Sequence, residues 1–83
     1  MVKGRVQGVF YRASTKDQAD ALHLKGFVRN EANGDVYIEA EGEEDSLNEF
    51  IEWCHQGPPR ASVTSVMITE RKIEGFTSFE VRR

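Results

Sequence analysis

Cysteine is almost absent from this 83-residue chain: Cys54 stands alone, which excludes an internal disulfide framework and fits a reducing compartment. Long apolar runs are missing as well. None approaches the roughly 20 residues of a membrane helix, and the start Met-Val-Lys-Gly-Arg-Val-Gln-Gly has no apolar stretch of a secretory signal. The expectation is a cytoplasmic protein without membrane contact. Histidine is limited to His23 and His55, far apart and without clustered Cys partners, so no zinc site, metal or cofactor is expected. Proline is confined to Pro58 and Pro59, and no repeat, linker or low-complexity segment breaks the chain. The length is too short for two ordinary domains, a TIM barrel or a full dinucleotide-binding fold. One domain over residues 1–83, acting as a monomer around a single small core, is therefore expected.

Positive charge is also in short supply. Eleven Lys and Arg against 14 Asp and Glu give a formal net charge of −3, which disfavours a generic nucleic-acid binder with its basic footprint. The charges are segregated along the chain. Residues 1–30 hold six Lys/Arg and two Asp, residues 31–56 hold nine acids and no Lys or Arg, and residues 57–83 hold five basic and three acidic residues. An anion site belongs in the first thirty residues.

Hydrophobic spacing supplies the organisation. Val2 and Val6 predict a short first strand and Gln7 to Phe10 a loop; Tyr11 to Leu22 predicts a helix, with Thr15, Ala19 and Leu22 on one side. Gly26 to Asn30 and Val36 to Glu41 predict two strands joined through Ala32-Asn33-Gly34-Asp35, where Asn-Gly is a strong hairpin signal. Val36, Ile38 and Ala40 form the core side of the second of these, leaving Glu39 and Glu41 on a solvated side. Leu47, Phe50, Ile51 and Cys54 make the stripe of a second helix, with Ser46-x-x-Glu49 as capping box and Gly57-Pro58-Pro59 as terminator. Strands are predicted near Val63 to Arg71 and Phe76 to Arg83. The resulting class is α+β: a ferredoxin-like split β-α-β sandwich, its antiparallel sheet of four to five strands carrying two helices on one face.

Fold of this kind hosts enzymes, RNA binders and ligand sensors alike, so function has to come from particular residues. Gly4-Arg5-Val6-Gln7-Gly8-Val9-Phe10-Tyr11-Arg12 joins a strand to a helix and aims several backbone N–H groups at one point. Such a helix start binds anions, and Arg12 in the first turn adds a guanidinium suited to phosphate or carboxylate. An ordinary tight turn at Gly8 with Arg12 in solvent has the same spacing. The loop is neither a Walker A sequence nor Gly-x-Gly-x-x-Gly.

The run Val2 to Arg12 resembles the signature loop of the acylphosphatase family: an aliphatic residue, then Gly4, Val6-Gln7-Gly8-Val9 and Arg12, with Tyr11 standing where the family has Phe or Met. A second family signature is met in full by Gly26, Phe27, Val28, Asn30, Gly34, Val36 and Gly42. With Gly57-Pro58 and Ala61-x-Val63 the similarity spans nearly the whole chain. The resemblance implies hydrolysis of small acyl phosphates to a carboxylate and inorganic phosphate. It assigns the phosphoryl group to the loop of Gln7, Gly8, Val9, Phe10, Tyr11 and Arg12, and the attacking water to Asn30, with Arg12 and Asn30 as the catalytic pair. Two further departures stand out: only Met1 to Lys3 precede Gly4, where the family usually has a longer first strand, and His23 occupies a position usually held by Gly before Leu. That place, between helix and strand, favours a left-handed residue.

Competing classes are an anion-binding domain of this kind without turnover, a piece of a larger carbamoyl-handling protein, and an RNA-binding module of the same plan. The last is disfavoured because Val28-Arg29-Asn30 breaks the aromatic strand motif that Lys25-Gly26-Phe27 begins. Cys54 is read as a small core residue.

Overall fold

The computed structural model describes residues 1–69 and 73–82. The elements follow in the order β1 (Val2–Arg5), α1 (Tyr11–Ala21), β2 (Lys25–Asn30), β3 (Val36–Glu41), α2 (Glu44–Gln56), β4 (Ser62–Val66) and β5 (Phe79–Arg82). They form a five-stranded sheet in the order β4-β1-β3-β2-β5, with both helices packed on one face. Val2, Val28 and Val36 from the sheet meet Tyr11 and Ala19 of α1 and Phe50 and Cys54 of α2, with Phe79 closing the core beside β2. Full burial of a side chain such as Phe50 contributes roughly 1.5–3 kcal/mol.

The sheet is mixed, not antiparallel throughout as the alternation suggests. β5 runs parallel to β2, from Gly26↔Phe79 to Arg29↔Arg82. β4 lies at one edge and β5 at the other, and residues 73–78 lead into β5 at the end of the sheet where β2 begins, so the two strands run in the same direction. β4 ends at Val66, opposite Val2, and Met1 and Met67 exchange two further hydrogen bonds, at 3.1 and 2.9 Å. The predicted strand ends Arg71 and Arg83 lie outside the described residues. β1 pairs with β3 at Val2↔Val36.

Phe76, predicted to open the last strand, instead packs edge-on against Phe27 at 5.8 Å. The crossing is fastened by Glu41, whose carboxylate accepts the backbone N–H groups of Glu74, Gly75 and Phe76, the last at 3.1 Å. Glu39 accepts the Tyr37 hydroxyl at 2.7 Å. The two acids predicted to face solvent thus hold structure: Glu41 because residues 74–76 bring unpaired N–H groups to it, and Glu39 through a neighbour on its own strand. Both sides of β2 are consequently covered: Val28 faces the helices, and Phe27 lies under Tyr37, Phe76 and the Arg82 guanidinium.

The helix ends differ from the predicted caps. α2 starts at Glu44 with Glu43 as N-cap, so Ser46 falls inside the first turn instead of capping it. Glu44 and Asp45 occupy the positive end that a capping box would have served. At the end of α1, His23 is left-handed (φ 58°), as its position predicts. The His23 N–H donates to Asp20 O at 3.1 Å and the Leu24 N–H to Ala19 O at 2.9 Å, the paired bonds of a Schellman ending.

Candidate active site

Gly4 lies at the irregularity that turns β1 toward the next loop, at φ 128°, where a Cβ would collide with the Ser62 carbonyl. Beyond it, Val6 and Val9 are buried and pin the loop to the core. Between and after them Gly8 (φ 70°) and Phe10 (φ 63°) are left-handed. A backbone that alternates in this way turns successive N–H groups to one side and forms an anion-binding concavity. The N–H groups from Gly8 to Arg12 have no protein acceptor among the described residues. Helix α1 adds its own field: its N-cap, Phe10, makes no side-chain cap bond and its first turn holds no acid.

Each predicted site residue now has a place. Gly8, Phe10, Tyr11, Arg12 and Asn30, with Val6, line one concavity of about 220 Å³. Gln7 and Val9 are not part of that lining. Val9 is in the core, and the Gln7 amide donates to the carbonyls of Glu31 at 2.8 Å and Asp35 at 3.0 Å. Their side chains therefore serve the loop's shape and leave only their backbone for a ligand. Tyr11 lends its backbone too, because its ring is buried against Trp53 and its hydroxyl donates to Cys54 O at 2.8 Å. That bond gives a partner to a carbonyl in the last turn of α2 and explains how a phenol fits where the family has Phe or Met. Burial pushes the phenol pKa well above its ordinary value.

Arg12 Nη1 donates to the Arg82 carbonyl at 3.0 Å, which fixes the guanidinium against the end of β5. No carboxylate pairs with it among the described residues, whereas Arg29 lies 3.3 Å from Glu31 and Arg82 lies 3.5 Å from Glu80. Asn30 closes β2. Its Oδ1 is buried and has no hydrogen-bond partner among the described residues. An orphaned buried acceptor costs about 1–3 kcal/mol. The hairpin that follows Asn30 is clamped to the loop by Gln7 and to β1 by Lys3, whose ammonium lies 2.8 Å from Asp35. The hydrogen bond from Lys3 holds the Asp35 carboxyl below its ordinary range.

Two contributions escape the sequence pattern. The Arg82 carbonyl has no residue signature at all, and the Lys3 to Asp35 clamp is foreshadowed only by an acid in an Asn-Gly turn. Cys54 is buried, and its thiol is pushed up to about 11 by that burial, so it is protonated at neutral pH. No group of three or more His, Cys, Asp or Glu among the described residues could hold a metal ion. No described helix is long and apolar enough to cross a membrane.

A family model described as Acylphosphatase matches residues 1–81. An acylphosphatase of Haloquadratum walsbyi is 48% identical over 82 residues, 99% of this chain and 88% of that protein. Among solved structures, an acylphosphatase from Coxiella burnetii superposes with a TM-score of 0.95 at 44% identity, covering 98% of this chain and 85% of the other. One from Bacillus subtilis gives a TM-score of 0.95 at 40% identity, covering 99% and 92%.

Proposed function

Since the chain belongs to the acylphosphatase family, a family of acyl phosphate hydrolases, we propose that the groups around the concavity divide that reaction between them. An acyl phosphate is a reactive mixed anhydride whose leaving group is a carboxylate. A carboxylate is a weak base, with a pKa near 4, and departs without being protonated. The reaction therefore demands charge neutralisation on the phosphoryl oxygens and a water held in line, and no strong general base or covalent nucleophile.

The loop N–H groups and the Arg12 fork hold the phosphoryl group and take up its charge as it transfers. The Asn30 carboxamide, which lines the concavity, holds the water and turns its lone pair toward phosphorus. The new bond forms from water oxygen to phosphorus, the bond from phosphorus to the acyl oxygen breaks, and its electron pair leaves with the carboxylate. The proton displaced from water stays with the product as dihydrogen phosphate. A carboxamide suits this task because it puts no negative charge beside the phosphate.

The observation that carries this reading is the pairing, within one concavity, of an Arg without a carboxylate partner and a buried amide oxygen without a donor among the described residues. Its substrates are small acyl phosphates, with inorganic phosphate as product and competitive inhibitor, and its setting is a cytoplasmic monomer that needs no nucleic acid. The test is turnover of benzoyl phosphate after exhaustive EDTA treatment, with inorganic phosphate titrated as inhibitor. Persistent turnover and competitive inhibition are expected. Phosphate binding without turnover would reassign the chain as an anion-binding domain, and strict dependence on added Mg²⁺ would contradict the roles given to Arg12 and the loop.

A further inference from the structure

Phe10 is an expensive residue for its place. It is 76% exposed, makes no ring contact among the described residues, and holds φ at 63°. Left-handed backbone costs a non-glycine residue roughly 1–2 kcal/mol, and Asn, Asp or Gly would fill the position more cheaply. The helix that Phe10 precedes gains no cap bond from it. A large apolar side chain is thus kept in water, on strained backbone, at the rim of the concavity that holds Arg12 and Asn30. The other large exposed apolar side chains, Met67, Ile68, Ile73 and Val81, do not line it.

The loop amides and Arg12 that hold the phosphoryl group line the same concavity as Phe10, which places the acyl half of a bound acyl phosphate beside that ring. Val6 also lines the concavity but is 1% exposed, which leaves Phe10 as the apolar surface an acyl group can reach. We propose that the Phe10 ring is the contact surface for the acyl half of the substrate and makes the enzyme prefer aromatic or extended apolar acyl phosphates over acetyl phosphate. The inference rests on the catalytic reading above and adds the specificity that reading leaves open. Aromatic stacking of this kind corresponds to a discrimination of roughly three- to tenfold.

The experiment compares kcat/KM for benzoyl phosphate and acetyl phosphate in the parent, Phe10→Asn and Phe10→Tyr. Asn tolerates left-handed backbone and so preserves the loop, while Tyr preserves the ring. Any effect on phosphoryl binding is common to both substrates and cancels in the ratio. The benzoyl-to-acetyl ratio is expected to fall roughly three- to tenfold in Phe10→Asn and to stay near the parent value in Phe10→Tyr. A ratio unmoved in Phe10→Asn overturns the inference while leaving the catalytic reading intact. A parent that turns over neither substrate contradicts the catalytic reading and this inference with it.

Discussion

Helices α1 and α2 lie side by side on the same sheet, yet they begin in opposite electrical states. The first turn of α2 carries Glu44 and Asp45, so its positive end is answered by its own chain. The start of α1 has no acid and no cap bond, holds a strained aromatic at the N-cap, and places a cation, Arg12, where the helix field disfavours one. Each acid at a helix start is worth about 0.3–1 kcal/mol, so α1 forgoes stability that α2 collects. A helix start becomes a ligand site when the protein leaves it unsatisfied and surrounds it with groups that need the same ligand. Both conditions hold at α1, and neither holds at α2.

The most severe way to break that contrast is to remove the cation. Arg12→Lys keeps the charge but not the fork, nor the bond to Arg82 O that aims it. A loss in kcat/KM of about 10² or more is expected, with the thermal melt little changed. Turnover within a few-fold of the parent would show that the α1 site has another centre.

Asn30→Ala comes next. It removes the orphaned acceptor while leaving the loop and Arg12 in place, so kcat is expected to fall by roughly tenfold or more while the inhibition constant of inorganic phosphate moves much less. Loss of phosphate binding with kcat preserved would make Asn30 a binding residue and reverse its role.

The smallest effect lies at the other end of α1. His23 is strained there too, but without any ligand group nearby to give the strain a use. His23→Gly is expected to raise the unfolding free energy by a few tenths to about 1 kcal/mol in denaturant melts, the gain being limited by the added freedom of the unfolded chain. Initial rates should barely change. Destabilisation would contradict a left-handed cap, and a collapse in rate would reveal a functional histidine.

Much of this was legible in the residues because local patterns carried it. The stripe Phe50 to Cys54 marked α2, Asn33-Gly34 marked the hairpin, and Gly8 to Arg12 marked the loop, each through spacing that the final packing respects. What could not be read depends on partners distant in the chain. The parallel pairing of β5 with β2 follows from where the crossing segment lands, and the work of Glu41 follows from the N–H groups that segment delivers. At the start of α2 the spacing Ser46-x-x-Glu49 predicts a capping box, whereas Glu43 takes the N-cap and Glu44 and Asp45 the first turn, because acids and Ser46 compete for the same helix end. At the site, the pattern named Gln7 but not that its amide would be used on the hairpin, since a carbonyl acceptor leaves no mark in a sequence.

The central claim is that α1 gives up stability at its start in order to bind phosphate, and one pair of variants tests it directly. Ala13→Glu places an acid on the exposed first turn of α1; Glu44→Gln with Asp45→Asn removes the two first-turn acids of α2. The measurement is the dissociation constant of inorganic phosphate by calorimetry, taken with the midpoint of unfolding in the absence of phosphate. Ala13→Glu is predicted to weaken phosphate roughly three- to tenfold while raising stability by about 0.3–1 kcal/mol, and the α2 double variant to lower stability by about 0.6–2 kcal/mol with phosphate affinity within about twofold of the parent. Equal phosphate affinity in the parent and Ala13→Glu would contradict the account.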